Sequence, residues 1–174
     1  EGIEKFDLSK FPCDYAYTVD GGAPNEINYE NFNAASALVT VKGLDIHPGS
    51  AKNQMLNASL IAMEYNSLLP QEQKPEYTDN YEGFYHLTNI TGVVGEAKMH
   101  YILRDHDKSK LEKKKQIMEQ AKNYLNSKYN PDTVTLIIKD SYSNMSELIN
   151  KDPRCIDKAL KAIKALGLTP NTSP

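Results

Sequence analysis

The chain has 174 residues, of which 40% are hydrophobic and 25% are charged, and its formal net charge is −3. This composition is typical of a globular protein and excludes a disordered tail, a collagen-like repeat and a disulfide scaffold. A net charge near zero argues against a dedicated binder of nucleic acid or anionic membranes. Cys13 and Cys155 lie far apart without metal-like spacing, so we expect a reducing, cytoplasmic location. The chain begins at Glu1 rather than Met, and we interpret it as an excised piece.

The first half of the chain predicts two strands and a helix. Tyr15–Val19 is aromatic and β-branched, and a glycine turn follows it, so we predict a strand. Ile27–Val41 predicts a long β-like stretch whose later part alternates apolar and polar residues. A period of 3.6 then predicts a helix over Asn53–Leu69, stopped by proline. The apolar stripe of this helix is predicted to follow Leu56, Leu60, Met63 and Ser67, and Ile61, Tyr65 and Leu68 are predicted to lie beside it.

The second half predicts a hairpin, a long helix, a strand and a final helix. Phe84–Thr91 and Glu96–Arg104 are two strands joined by a Gly-Val-Val-Gly turn. Asp107 is a plausible N-cap for the long helix, which Asn-Pro-Asp ends at 130–132. Residues 134–138 alternate as a strand, and residues 152–166 predict a helix that opens with Asp-Pro and closes at glycine.

The middle of the chain therefore has the order β-α-β-β-α-β. This is the ferredoxin-like arrangement, in which one antiparallel sheet carries two helices on one face, and it places the protein in the α+β class. We assign this module to residues 31–141, and residues 1–30 and 142–174 flank it without extending it.

Three side chains stand where a ligand can reach an anchored group. Asp20 ends the first predicted strand before two glycines; the alternative is a turn aspartate bonded to its own backbone. His47 lies in a tight turn, where imidazole can coordinate metal or stabilise an oxyanion; the alternative is a surface histidine. Arg104 ends a strand, where its fork can hold a carboxylate; the alternative is an exposed arginine paired with Asp105 or Asp107.

The neighbouring charged residues predict structure rather than chemistry. Asp105-His106-Asp107 has the composition of a metal cluster, but consecutive strand residues point to opposite faces, so we predict a cap and turn. The following lysines predict the solvated face of the helix. These lysines are Lys108, Lys110, Lys113, Lys114 and Lys115. The residues alone therefore define no complete catalytic set.

Seven segments, taken in order, resemble one family. They are Tyr15-Ala-Tyr-Thr-Val-Asp-Gly-Gly22, Glu30-Asn-Phe-Asn-Ala-Ala-Ser-Ala37, Ile46-His-Pro-Gly-Ser-Ala-Lys52, Met55-Leu-Asn-Ala58, Pro75-Glu-Tyr-Thr78 with Glu82-Gly-Phe-Tyr-His86, Tyr101-Ile-Leu-Arg-Asp-His-Asp107 and Tyr142-Ser-Asn-Met145. In this order and spacing the chain resembles peptidase T, the tripeptide aminopeptidase of the di-zinc peptidases with a lid domain. The resemblance implies that residues 31–141 are the lid and dimerisation domain, and that both flanks belong to a catalytic domain.

The resemblance also implies roles for individual residues. Asp20 matches a terminal ligand of one of two zinc ions. His47 matches the lid histidine that polarises the scissile carbonyl or the developing oxyanion, and related dimeric enzymes supply it across the dimer. Arg104 matches the lid arginine that grips the C-terminal carboxylate of the peptide, and Asn144 is expected near the substrate. The implied reaction releases the N-terminal amino acid from tripeptides by a metal-activated water, with the lid forming a homodimer.

The family's other zinc ligands match no part of this chain. A lone carboxylate does not hold a catalytic zinc, so we expect the fragment itself to be inactive and to bind zinc weakly or not at all. Two alternatives stay open at this point. One is a free-standing ferredoxin-like binding or dimerisation module without catalysis, and the other is a relative that cleaves dipeptides or acylated amino acids.

Overall fold

The structure is a computed structural model that describes residues 6–19 and 21–173. The described chain forms two compact units, one of residues 30–144 and one that combines residues 6–29 with 145–173. None of the helices in these ranges combines the length and the apolar character that crossing a membrane requires.

Within the described residues, six strands and four α-helices form the longer regular elements. In chain order they are β1 (Glu26–Asn28), β2 (Asn33–Lys42), α1 (Ala58–Leu68), β3 (Phe84–Gly92), β4 (Glu96–Asp105), α2 (Lys108–Lys128), β5 (Val134–Tyr142), α3 (Ser146–Ile149), α4 (Arg154–Ala165) and β6 (Asn171–Ser173).

The larger unit is the predicted β-α-β-β-α-β module. Its four strands form one antiparallel sheet in the order β3-β4-β2-β5, so β3 and β5 are the edges. At one end of the sheet Ala34 pairs with Arg104, and at the other end Val41 pairs with Ala97. The ferredoxin-like prediction is confirmed.

The core lies between the sheet and the two helices. Because side chains alternate along a strand, every second residue of β4 from Ala97 to Asp105 is buried on the helix face. The hydroxyl of Tyr65 on α1 donates to the carbonyl oxygen of Met118 on α2 at 2.9 Å, which joins the helices inside this layer. Leu125 and Val134 close the core at its far end.

Helix α1 differs from its prediction in start and in orientation. It begins at Ala58 because the side chain of Asn57 caps it, accepting the backbone N–H groups of Ser59 and Leu60. The predicted centre of the stripe is wrong: Leu60 and Met63 are 60% and 59% exposed, whereas Ile61 and Tyr65, predicted to lie beside it, are buried. The helix instead buries the face that carries Ile61, Ala62 and Tyr65, because that face lies on the sheet.

The smaller unit also departs from the prediction. Tyr15–Val19 forms no strand, and the Tyr17 hydroxyl instead donates to the carbonyl oxygen of Cys155. The sheet of this unit is the short parallel pair of β1 and β6. The predicted stretch Ile27–Val41 is therefore divided, since β1 ends at Asn28 and β2 begins at Asn33. Helix α4 begins one residue after Pro153, and Gly167 follows it with φ of 75°.

We expect Gly43→Ala to destabilise the larger unit. A Cβ at Gly43 would overlap the backbone carbonyl oxygens of Val94 and Leu56. The backbone segments that carry these two oxygens are held at the end of the sheet and cannot move away. Overpacking of this kind costs about 1–3 kcal/mol in free energy of unfolding. Urea unfolding of the variant and the unchanged chain measures this difference in the free energy of unfolding. The matched control is Gly95→Ala, where an added Cβ meets nothing within 4 Å. Equal stability of the two variants would contradict the packing described for this end.

Candidate functional site

One end of the sheet gathers aromatic and cationic side chains from three segments. Arg104 and His106 are two residues apart, so they lie on the same side of the chain, opposite Asp105. Phe84 pairs with Arg104 across β3 and β4. We call the following set the Arg104 cluster: Phe32, Tyr81, Phe84, Arg104 and His106.

Ring contacts hold the Arg104 cluster together. The Phe32 ring contacts His106 with centroids 4.2 Å apart and meets Phe84 edge-on at 5.6 Å. The ring of Tyr81 meets His106 edge-on at 5.0 Å. The guanidinium carbon of Arg104 lies 5.7 Å from the Phe32 centroid, within range of a cation–π interaction. The aromatic rings therefore form a wall beside the guanidinium.

Arg104 and His106 form no ion pairs with the other described residues. Within residues 6–19 and 21–173, Arg104 forms no salt bridge, and its Nε has no hydrogen-bond partner although it is shielded from solvent. The same holds for Nδ1 of His106. A shielded donor without a partner costs roughly 1–3 kcal/mol. The predicted alternative, in which Arg104 pairs with Asp105 or Asp107, is therefore wrong.

Two asparagines fix the backbone beneath the cluster. Asn33 is buried and donates to the carbonyl oxygens of Asp105 and His106, at 3.2 and 2.9 Å. Asn144 donates to the His106 carbonyl oxygen at 3.3 Å and to a Glu30 carboxylate oxygen at 3.4 Å. Its Oδ1 accepts the backbone N–H of Asn31. The side chain of Asn144 thus supports the segment that carries His106, and its predicted contact with substrate stays a prediction.

Burial disfavours the charged form of the His106 imidazole. Desolvation lowers the pKa of His106 below its ordinary value of 6.5, and this effect outweighs the opposing charges of Glu30 and Asp105. A backbone hydrogen bond with Asn80 also acts against the shift. The cluster therefore combines the permanent cation of Arg104 with an imidazole whose charged form is disfavoured by burial.

A buried ion pair lies directly behind the cluster. Nζ of Lys114 is 3.2 Å from Oδ2 of Asp105, and the two side chains are 7% and 1% exposed. The prediction that Lys114 belongs to a solvated face is wrong, because α2 packs this residue against the end of β4. The predicted cap is confirmed, since the Asp107 side chain accepts the N–H groups of Ser109 and Lys110.

His47 lies in an exposed turn beyond the other end of β2. Its Nδ1 accepts the backbone N–H of Gly49 at 3.2 Å, and its carbonyl oxygen accepts the backbone N–H of Ser50. Because Nδ1 is the acceptor, the neutral ring carries its proton on Nε2. The turn therefore directs a hydrogen-bond donor toward solvent.

The structure does not bring His47 and Arg104 together within one chain. Arg104 pairs with Ala34 at the start of β2, whereas His47 follows Lys42 at its end. With a rise of about 3.3 Å per residue, the ten residues of β2 separate these ends by roughly 30 Å.

The predicted metal ligand Asp20 lies outside the described residues. Among the residues that the structure does describe, no group of three or more His, Cys, Asp or Glu side chains is arranged to hold a metal ion. The described residues therefore do not fit a zinc site by themselves.

Sequence reasoning missed His106 and the aromatic wall. One local signal existed, because strand alternation continued past Arg104 places His106 on the same side. No local signal identifies Phe32 and Tyr81, since they come from segments far along the chain.

The sequence model of the peptidase dimerisation domain, M20_dimer, matches residues 29–133. The chain belongs to this family. The match covers β2, β3 and β4 of the four-stranded sheet, ends immediately before β5 and includes the whole Arg104 cluster.

Relatives of this dimerisation domain include peptidase T proteins. The chain is 46% identical over 173 residues to peptidase T of Caldanaerobacter subterraneus subsp. tengcongensis, and 47% identical to that of Bacillus subtilis. In each case the match covers 99% of this chain and 42% of the relative, so the chain spans about two fifths of those proteins.

Solved structures share the fold. A tripeptidase from Staphylococcus aureus matches with a TM-score of 0.82 at 17% identity, covering 99% of this chain and 46% of that one. Aminopeptidase PepT from Bacillus cereus matches with a TM-score of 0.78 at 16% identity, with the same coverage of both chains.

The lowered pKa of His106 predicts that this dimerisation domain loses stability in acid. As the pH falls below about 6.5, the unfolded chain binds more protons than the folded chain. The contribution of His106 to the free energy of unfolding therefore decreases until the pH passes the folded-state pKa. We expect urea unfolding at about pH 7.5 and about pH 5 to show a smaller loss in His106→Gln than in the unchanged chain. An equal loss in both proteins would contradict this assignment.

Proposed function

We propose that the full-length protein is a zinc-dependent tripeptide aminopeptidase of the cytoplasm, and that this chain supplies its lid and dimerisation domain. The reaction releases the N-terminal amino acid from a tripeptide. The observation that carries the proposal is the guanidinium of Arg104, which is partly buried and forms no salt bridge within the described residues, in a chain 46% identical to a peptidase T.

Arg104 is the proposed anchor for the C-terminal carboxylate of the substrate. A guanidinium presents parallel N–H donors that match a carboxylate, and no carboxylate within the described ranges competes for them. The wall of Phe32 and Phe84 lowers the local dielectric and strengthens this contact. An anchor at a fixed distance from the reacting bond selects peptides of one length, which supports a tripeptide specificity.

Zinc enters this proposal through the resemblance of Asp20 to a family ligand. When bound, zinc supplies Lewis acidity and lowers the pKa of a coordinated water toward about 7. The described residues hold no group that fits the ion, so the roles derived for this chain are binding and orientation.

His47 is proposed to donate from Nε2–H to the carbonyl oxygen of the scissile bond. The Gly49 N–H occupies Nδ1, so the neutral ring has its proton on the nitrogen that faces outward. Such a donor stabilises the negative charge that develops on that oxygen during attack.

The β3 edge is the proposed dimer interface. Within the described chain, β3 pairs only with β4, so the N–H and C=O groups of its other side are open to a second strand. Exposed apolar side chains accompany this edge, whereas the exposed side of α2 beside β5 is rich in lysine. These apolar residues are Leu60, Met63, Ile90 and Val93.

A two-fold axis at this edge explains how His47 and Arg104 form one site. Identical edge strands that pair antiparallel keep the helices of both subunits on the same face of a continuous sheet. This rotation reverses the ends, so the partner subunit's His47 end lies at the same end of the extended sheet as Arg104. The separation of about 30 Å within one chain is thereby compatible with a shared site.

We expect Arg104→Met in the full-length enzyme to raise KM about a hundredfold for a tripeptide with a free C-terminal carboxylate. Loss of the charged partner removes its hydrogen bonds, whereas kcat changes less because Arg104 is remote from the reacting bond. The control substrate is the same tripeptide as a C-terminal amide, for which the variant and the unchanged enzyme should have similar KM values. An equal effect on acid and amide would contradict the proposed anchor.

We expect mixed subunits to restore activity. His47→Ala and Arg104→Met homodimers should each be impaired when assayed at a substrate concentration well below KM, because every site in them lacks one group. Subunit exchange produces heterodimers in which one site has both residues and the other has neither. Random exchange should therefore recover about a quarter of the unchanged activity. If each subunit uses its own His47, mixing restores nothing, and the two-fold arrangement is refuted.

A further inference from the structure

Asp105 is a carboxylate with an unusual position on β4. The other helix-facing residues of this strand are Ala97, Met99, Tyr101 and Leu103, all apolar or aromatic and all buried. Asp105 continues the same face and is 1% exposed. It lies between Arg104 and His106, which face the other way and belong to the Arg104 cluster.

The carboxylate of Asp105 joins the turn to helix α2. Its Oδ1 accepts the backbone N–H of Asp107 at 3.0 Å, which fixes the turn that carries His106. Its Oδ2 faces Nζ of Lys114 on α2 at 3.2 Å. The backbone on both sides of His106 is thus held by one buried side chain.

Lys114 extends this network to the loop before β3. Nζ of Lys114 donates to Oε1 of Gln73 at 2.6 Å and lies 5.3 Å from the ring centroid of Tyr85. The Tyr85 hydroxyl donates to the carbonyl oxygen of Lys114 at 3.3 Å. The loop therefore has a fixed position relative to α2, and this loop carries Tyr81 to the imidazole of His106.

Gly83 shows how closely this loop approaches the carboxylate. A Cβ at Gly83 would overlap Oδ2 of Asp105 and the carbonyl oxygen of Arg104. Only a residue without a side chain allows the loop to pass directly over the ion pair. Strand end, loop and helix thus meet at the Asp105 carboxylate.

We propose that the buried Asp105–Lys114 ion pair is a positioning device for Arg104, which holds the guanidinium at the distance and angle that a peptide carboxylate requires. This inference rests on the proposed function, in which Arg104 anchors the substrate. Asp105 and Lys114 are positioning residues, because they face away from the substrate side and act through the backbone of the strand end.

Stability alone does not explain this pair. A buried ion pair contributes little net stability, because the desolvation of both charges offsets their attraction, and neutral replacements of similar volume are often equally stable. A directional pair with further hydrogen bonds does, however, restrict the backbone to one geometry, which apolar packing achieves less strictly. A side chain that anchors the substrate, such as Arg104, requires a backbone restricted in this way.

The test uses the neutral double variant Asp105→Asn/Lys114→Met in the full-length enzyme. Both charges are removed together, so no unpaired charge stays buried and we expect the protein to fold. We expect KM for the tripeptide acid to rise on the order of tenfold, with little change in kcat and none in KM for the tripeptide amide. The matched control is Glu64→Gln/Lys128→Met, which removes an ion pair between α1 and α2 away from the cluster. The control should leave both KM values unchanged.

A combination with Arg104→Met separates positioning from a general structural effect. In the Arg104→Met background, the double variant Asp105→Asn/Lys114→Met should cause no further rise in KM, because the guanidinium that the ion pair positions is absent. Equal rises with and without Arg104 would overturn the inference. If Arg104→Met alone leaves KM unchanged, the proposed function fails; if it raises KM but the neutral pair does not, only this inference fails.

Gln73→Ala provides a second, milder variant if the neutral pair does not fold. It removes the hydrogen bond from Lys114 to the loop and leaves both charges in place. We expect a rise of about threefold in KM for the acid and none for the amide. An unchanged KM for both substrates would overturn the proposal.

Discussion

Placing the carboxylate of Asp105 inside the module costs free energy unless every one of its partners is in position. Lys114 supplies the opposite charge, the Asp107 backbone supplies an N–H donor, and Gly83 leaves the necessary space. These partners belong to helix α2, to the turn before it and to the loop before β3. The buried carboxylate of Asp105 therefore forces three segments to meet at one end of the sheet. The Arg104 cluster lies on the opposite side of that meeting point, so the positions of its side chains depend on how these three segments meet.

The sheet has two chemically different ends. One end carries the guanidinium, the imidazole and the aromatic wall, and the other leads into the turn that displays His47. A single subunit keeps these groups far apart, since a strand is rigid and extended. In the proposed dimer, the apolar surface beside β3 joins them, because pairing of two identical edges reverses one sheet relative to the other. Under that proposal, dimerisation and site assembly both depend on the β3 edge.

Parts of this organisation could be predicted from local patterns, and parts could not. The strand predicted over Glu96–Arg104 agrees with β4 to within one residue, and Asp107 was correctly predicted as an N-cap. The stripe of α1 was wrong because two faces of that helix are apolar, so periodicity does not distinguish a face that meets the sheet from one beside an edge. Lys114 was placed in solvent because lysine is rarely buried unless it is paired, and its partner Asp105 lies on β4, a different element.

By itself, the sequence determined the order of the elements in the larger unit, its ferredoxin-like fold, the position of Arg104 near the end of a strand and that of His47 in a turn. Backbone geometry sets the periods of helices and strands, so a few neighbouring residues suffice to recognise them. Only the tertiary structure decided that Lys114 neutralises Asp105, that Phe32 and Tyr81 enclose His106, and that Leu60 and Met63 stay exposed. These contacts join segments that are distant along the chain, and their energies depend on burial and distance, which exist only once the chain has folded.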